Sequence, residues 1–372
     1  MRYVSEFRDG ARARGIVEAI EREADPSRRY HFMEFCGGHT HALCRYGLMD
    51  LLPENVQMVH GPGCPVCVLP IGRLEQAIAL ARQPEVTLCT FGDMVRVPAR
   101  SRASFLSAKA EGADVRMVFG PADALDLARR EPGREVVFFA IGFETTTPTT
   151  AAAVLQAKAE GLDNFFVFVN HVLTPSAIAA ILGSPEAKAG ELLVDGFVGP
   201  GHVSAIIGTA PYERFAASHR TPIVVSGFEP LDLLQSILML VRQINEGRAE
   251  VENQYRRAVS REGNLRAQAL VAEVFELRES FEWRGLGTIP ESALALRPAF
   301  APWDAEKRWA VPYEPVPDHP ACACGAILRG LKKPTDCRIF GTACTPETPI
   351  GSCMVSPEGA CAAYWQYGRR SA

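Results

Sequence analysis

Short runs of β-branched and aromatic residues alternate along this chain with stretches whose apolar positions recur every three or four residues. The runs are VQMV from 56, VTLCTF from 86, VRMVF from 115, VVFFAI from 136, FFVFVN from 165, LLVDGFV from 192 and PIVV from 222. Short and largely apolar on both faces, they predict strands of parallel sheets covered on either side. Helices are predicted between them over 71–82, 101–111, 121–130, 148–160, 174–182 and 211–219, often with Pro near the start, where a missing N–H is tolerated. The fold class that follows is α/β, with two small parallel-sheet α/β domains facing a cleft and a third, partly helical, cysteine-rich domain. From 230 to 280 the pattern turns helical, and Leu231, Leu234, Ile237, Leu238, Val241 and Ile244 share one face. That stripe is read as packing on the body of the protein. The first twenty residues, MRYVSEFRDGARARGIVEAI, predict an amphipathic helix.

At 372 residues the chain exceeds what one hydrophobic core usually serves. Four units are expected. Residues 1–50 carry the N-terminal helix and the motif around Cys36, and 51–130 form a first α/β domain. The charged Pro-Gly stretch REPGRE at 130–135 marks the seam to a second α/β domain, 131–229, and 230–372 hold the helical segment and a cysteine-rich tail. A strand followed by Gly-Phe-Glu occurs twice, at 142–144 and 227–229, which suggests two similar halves facing one cleft.

Composition narrows the setting. With 47% hydrophobic and 22% charged residues the chain reads as a soluble globular protein, and a net charge of -4 gives no footprint for nucleic acid. Its greasiest stretches fall short of the roughly 20 apolar residues that span a bilayer, and no secretory signal pattern opens it. A cytoplasmic protein is expected, so eleven cysteines call for something other than structural disulfides. None lies between 90 and 321, while six crowd the last 51 residues. Such clustering points to cofactors.

Three groups of residues carry candidate chemistry. In the tail, thiolates separated by Gly and Pro suit an iron–sulfur cluster, with zinc and uncoordinated thiols as the alternatives. Arg329, Lys332 and Lys333 there could offset cluster charge or be a solvated face. In FMEFCGGHTHALC, Cys36 precedes two glycines and is followed by His39 and His41, a set able to bind a soft metal or act as a nucleophile, or else to end a buried strand. In HGPGCPVC, Cys64 and Cys67 stand between a predicted strand and a predicted helix, where a helix N-terminus favours a redox thiolate. Half of a zinc site is the alternative there. The strand ends GFETTTP, PGHVS and SGFEP add Glu144, Thr145, Thr146, His202 and Glu229 as cleft residues that could shuttle protons or bind an anion, or simply cap helices.

Together, CGGHTH at 36–41, GPGCPVC at 61–67, GFETTTP at 142–148, PGHVS at 200–204 and CTPETPIGSCMVSPEGACAAYW at 344–365 closely resemble the HypD family of nickel–iron hydrogenase maturation proteins, over nearly the whole chain. The resemblance implies an assembly scaffold, rather than a conventional turnover enzyme. With the small chaperone HypC it would hold an iron ion while two cyanides and one carbon monoxide are attached. Cyanide would come from HypE, which dehydrates a thiocarbamoyl group made with HypF, and the finished unit would pass to the hydrogenase large subunit. The resemblance makes Cys36 the iron ligand and Cys64 and Cys67 a redox dithiol. It assigns Cys322, Cys337, Cys344 and Cys361 to a 4Fe–4S cluster that with the dithiol forms a redox relay, while Cys324 and Cys353 lie in the same tail. His39, His41, His202, Glu144 and Glu229 are then expected to orient Cys36 and manage protons. A stand-alone iron–sulfur thiol-disulfide reductase is the alternative function.

Overall fold

The computed structural model of the chain describes residues 5–368. Nine strands build its two main sheets: β1 (Tyr30–Glu34), β2 (Val56–His60), β3 (Val86–Thr90), β4 (Asp114–Met117), β5 (Glu135–Gly142), β6 (Phe165–His171), β7 (Gly196–Pro200), β8 (Ile223–Ser226) and β9 (Val251–Asn253). The first sheet runs β2-β1-β7-β8-β9 and the second β4-β3-β5-β6, and every pairing in both is parallel. All seven strands read from the apolar runs are present. The last two runs differ only in extent, since LLVDGFV pairs from Gly196 onward and PIVV from Ile223. β5 shows why both faces had to be apolar. Val137, Phe139 and Ile141 point into the core between the sheets, while Val136, Phe138 and Ala140 point the other way, onto the helices Pro121–Arg130 and Thr147–Glu160. The outer face of the first sheet is covered by the helices Gly10–Glu23 and Pro230–Asn245. The stripe through Leu234, Ile237, Leu238 and Val241 is therefore core, as expected. Of the opening twenty residues, Gly10 onward forms the amphipathic helix, Ser5–Arg8 make a single 3-10 turn, and 1–4 lie outside the described residues.

The expected seam at 130–135 does not separate the sheets. REPGRE is the turn between the helix Pro121–Arg130 and β5, and both sides of it belong to the second sheet. β2, expected with the first α/β domain, instead pairs with β1 in the first sheet, and β7 and β8, expected with β5 and β6, join it there. The second sheet is one contiguous stretch inserted between β2 and β7. A charged Pro-Gly turn marks a loop whichever sheet its flanks enter, so it carries no information about sheet membership.

The stretch 230–280 is also less helical than its periodicity suggests. Between the helices Pro230–Asn245 and Leu265–Val274 runs the edge strand β9, and two antiparallel pairs follow, β10 (Phe275–Leu277) with β13 (Leu294–Leu296) and β11 (Ser280–Trp283) with β12 (Gly287–Pro290). From Pro298 the chain crosses back to the cysteine-rich tail, whose short turns pack into the core shared by the two sheets. Among the described residues no helix is long and apolar enough to cross a membrane.

Candidate metal and dithiol centre

β2, β1, β7 and β8 are consecutive neighbours, so their C-terminal ends lie side by side, where open parallel sheets bind ligands. Cys36 follows β1, the GPGC loop follows β2, His202 follows β7, and Gly227-Phe228 follows β8. Motifs far apart in sequence thus meet at one edge.

Cys36 is 1% exposed and precedes the helix Gly37–Arg45. Its Sγ lies 3.4 Å from His202 Nδ1. Burial pushes the Cys36 thiol well up, helped by the nearby carboxylates of Glu358 and Glu34, against the His39 and Gly38 N–H groups that favour the thiolate. Burial takes His202 down to about 4. Burial thus favours the neutral form of both groups, and in the tautomer that carries its proton on Nε2 the His202 ring accepts from the Cys36 thiol. Phe228 packs its ring against both His202 and His39.

His39 is fully buried, donates from Nε2 to the Ser226 carbonyl at 3.3 Å, and is held down at about 3 by burial and by His202. His41 instead donates from Nδ1 to the Pro357 carbonyl at 3.4 Å and accepts from the Tyr367 hydroxyl at 3.3 Å. It ties the helix after Cys36 to the tail.

Two residues the motifs left without a role hold Cys36 in place. Glu34 and His60 are register partners on β1 and β2, both buried, with His60 Nδ1 2.9 Å from Glu34 Oε1. The same carboxylate accepts the Thr40 hydroxyl and, at 3.0 Å, the Cys36 N–H. A buried acid ending a strand two residues before the cysteine was the available signal, because such a group persists only where hydrogen bonds compensate it.

The dithiol loop lies directly on Cys36. A Cβ on Gly63 would come within 2.2 Å of the Cys36 nitrogen, and one on Gly61 within 2.7 Å of the Glu34 carbonyl. Gly63 accepts the Gly37 N–H at 3.2 Å, while Gly61 donates to Glu34 at 2.9 Å. Only glycine fits this crossing. Cys64 then begins the one-turn helix Pro65–Val68 and is joined to Cys67 as a disulfide, Cα to Cα 5.2 Å, with both residues buried. The strand-loop-helix placement is as expected. On its far side Ser352 Oγ donates to the Cys67 carbonyl at 3.1 Å, so the tail touches the dithiol.

In the tail, the neighbouring thiols of Cys322, Cys353 and Cys361 act on Cys324. The Cys324 thiol brings Cys322 down to about 7, and its neighbours raise Cys324 itself. Cys344 acts on Cys361 through charge and accepts the Ile350 N–H at 3.3 Å, whereas Cys337 faces the Ala321 carbonyl at 3.8 Å. Of the expected four, Cys322 and Cys361 thus neighbour Cys324, and Cys353, also outside that set, belongs to the same group. Gly351 leaves these sulfurs room, since a Cβ there would lie 2.5 Å from the Cys324 sulfur and 2.6 Å from that of Cys322. A crowd of buried thiols on a Gly- and Pro-rich chain fits an iron–sulfur group by donor chemistry. Among the described residues no three or more His, Cys, Asp or Glu stand ready around a single metal ion. Lys332 and Lys333 are exposed and Arg329 pairs with Glu186, so these cations are a solvated face and an ion pair.

The remaining candidates do not converge on Cys36. Glu229 receives the Arg8 guanidinium at 2.9 Å and leads the helix Pro230–Asn245. Glu144, buried and raised to about 7, accepts the Thr174 N–H and hydroxyl, each at 2.9 Å. Thr146 returns its hydroxyl to the Ile141 and Phe143 carbonyls. Cys89 sits in the core of the second sheet, and Cys44 lines a cavity of about 970 Å³ with Tyr46, Met58, Phe340, Tyr364 and Trp365.

The model of the HypD family, described as hydrogenase formation hypA family, matches residues 11–368. The chain is 65% identical to a hydrogenase maturation factor HypD of Rhizobium leguminosarum bv. viciae, over 99% of this chain and 96% of the relative. It is 63% identical to that of Azotobacter vinelandii, over 100% and 98%, and 47% identical to that of Escherichia coli strain K12, over 99% and 98%.

Proposed function

Since this chain belongs to the HypD family of hydrogenase maturation factors, we propose that it is the cytoplasmic scaffold on which an iron ion receives cyanide and carbon monoxide, with Cys36 as its ligand. The Cys36–His202 pair carries this reading. A thiol must lose its proton to bind a metal, and a thiol held protonated by burial needs an acceptor at hand. His202 Nδ1, at 3.4 Å, is that acceptor. Glu34, fixed by His60 and Thr40, clamps the Cys36 backbone so that the sulfur keeps its direction when the proton leaves. A thiolate also keeps the iron soft, which suits cyanide and carbon monoxide.

Partners follow from the same reading. HypC supplies a second thiolate to the iron, HypE delivers cyanide, and the finished unit reaches the hydrogenase large subunit by way of HypC. A 4Fe–4S cluster held by tail cysteines, with Cys322, Cys337, Cys344 and Cys361 as the set implied by family spacing, would supply single electrons. The Cys64–Cys67 disulfide would take up two electrons from such a cluster, one at a time, and as a dithiol could pass them on as it closes again, and Gly63 keeps it against Cys36.

Infrared spectra of protein purified without oxygen from cells expressing HypC test the proposal. Bands of iron-bound cyanide and carbon monoxide are expected. Cys36→Ala should lose them while keeping the iron and sulfide of the tail, and retention of full bands would overturn the assignment. The disulfide alone would also suit a thiol-disulfide reductase. Absent bands, in a sample with an intact cluster and a working cyanide supply, would favour that reading.

A further inference from the structure

A buried guanidinium lies within electrostatic reach of the tail thiols. Arg284 is 5% exposed and follows β11 in the tight turn into β12. There Gly285, at φ +81°, lies so close to Gly325 that a Cβ would come within 2.6 Å of the Gly325 Cα, one residue beyond Cys324. The Arg284 N–H donates to the Val68 carbonyl at 2.8 Å, one residue beyond Cys67. The side chain therefore sits where the dithiol loop and the tail meet. Its Nε and Nη2 bond Asp318 at 2.7 and 2.6 Å, while Nη1, buried, finds no hydrogen-bond partner among the described residues. The charges of Cys324 and Cys353 act on this guanidinium, and it acts in turn on Cys322 and Cys353.

A buried cation costs desolvation energy and persists where negative charge compensates it. Asp318 provides one such charge from a partly exposed position, and the free Nη1 leaves capacity for another. Iron–sulfur groups are anionic, become more so on reduction, and take their potential from nearby charge, hydrogen bonds and solvent access. We propose that Arg284 is a positioning residue that sets the potential of the tail's iron–sulfur group, its positive charge favouring the reduced state and Asp318 tempering it. This rests on the reading that the tail holds such a group. The step is the gain of one electron from a low-potential one-electron donor, with no bond made or broken.

The test is a mediated titration with dithionite of the full chain, purified without oxygen, with the reduced state followed by electron paramagnetic resonance. Arg284→Gln should shift the balance about tenfold toward the oxidised form, lowering the midpoint by about 59 mV for a one-electron couple. Asp318→Asn, which frees the guanidinium from its counter-charge, should raise the midpoint. Arg284→Lys keeps the charge and should stay near the wild type. Loosened packing gives no reason for opposite signs, so unmoved midpoints, or both moving the same way, overturn the inference. If Arg284→Gln assembles no cluster, Asp318→Asn and Arg284→Lys decide alone. Wild-type protein without iron and sulfide would bring down the reading of the tail as well, whereas a loaded wild type with unmoved variants brings down the inference only.

Discussion

Replacing Gly63 by Ala places a methyl carbon 2.2 Å from the Cys36 nitrogen and 2.4 Å from its Cα. Both atoms are backbone, held by the Cys36 N–H bond to Glu34 and by the Gly37 N–H bond to Gly63 itself. Ordinary contact begins at 3.4 Å, so the dithiol loop and the exit of β1 must part. A displacement of roughly 1 Å is implied, a scale at which a misplaced reacting group can cost about a hundredfold in rate. Overpacking of this kind costs about 1–3 kcal/mol. The stiffer unfolded chain returns about 0.4–1 kcal/mol. A net loss of up to about 2.5 kcal/mol in stability is expected, together with weakened infrared bands of the iron ligands. Gly15→Ala is the control, because nothing lies within 4 Å of a Cβ there and the helix should gain about 0.5–1 kcal/mol. Thermal unfolding of the three proteins, followed by circular dichroism, gives the comparison. If Gly63→Ala unfolds at or above the wild-type temperature and carries full iron-ligand bands, the close crossing does not hold the site and the reasoning is refuted.

Gly351→Ala drives a Cβ against the sulfurs of Cys322 and Cys324 and should weaken iron retention against a chelator by about 10–100-fold; unchanged iron and sulfide per chain would contradict it. His171 is buried and held at about 4, below its ordinary 6.5. Between those values the unfolded chain binds the proton and the folded chain does not, so stability drops by about 1.4 kcal/mol for each pH unit of acidification. Urea midpoints at pH 7 and pH 5 should fall less in His171→Gln than in the wild type, and equal falls would count against the burial argument. Glu144 runs the other way: held protonated up to about 7, against 4.5 when unfolded, it costs stability as the pH rises between those values. Glu144→Gln should therefore gain on the wild type from pH 4 to pH 8, and a constant difference would exclude this.

The parts of the fold that were legible in the sequence were those decided locally. Both faces of β5 and β6 are buried, and their unbroken apolar runs say so. β1 was missed because YHFME carries two polar residues in five, and one of them, Glu34, is buried for the sake of Cys36 rather than for packing. β9, with only Val251 apolar, offers no pattern at all. Sheet order is a long-range property, and REPGRE marked a turn without saying that the strands flanking it share a sheet. The site followed the same rule. Cys36, Cys64 and His202 announced themselves in motifs with glycines that admit close approach. His60 and Arg284 act through contacts with residues distant in the chain, whereas Glu34 was marked only by its place two residues before Cys36. Glu229 was drawn into the site by its place at a strand end, and there it caps the helix Pro230–Asn245.

The insertion of the second sheet between β2 and β7 sets a timetable for synthesis. β1 pairs with β7 at Phe32 and Gly196, so the inner partner of β1 leaves the ribosome about 160 residues later, roughly ten to thirty seconds at ordinary elongation rates. The second sheet, contiguous from β3 to β6, can close in that interval. Cys36, Cys64 and Cys67 meanwhile wait without His202, without β8 and without the tail that will bury them. Newly made chains thus carry three accessible thiols through a period in which oxidants and stray metal ions reach them freely, and a chaperone able to cover that edge early would protect the yield of working protein.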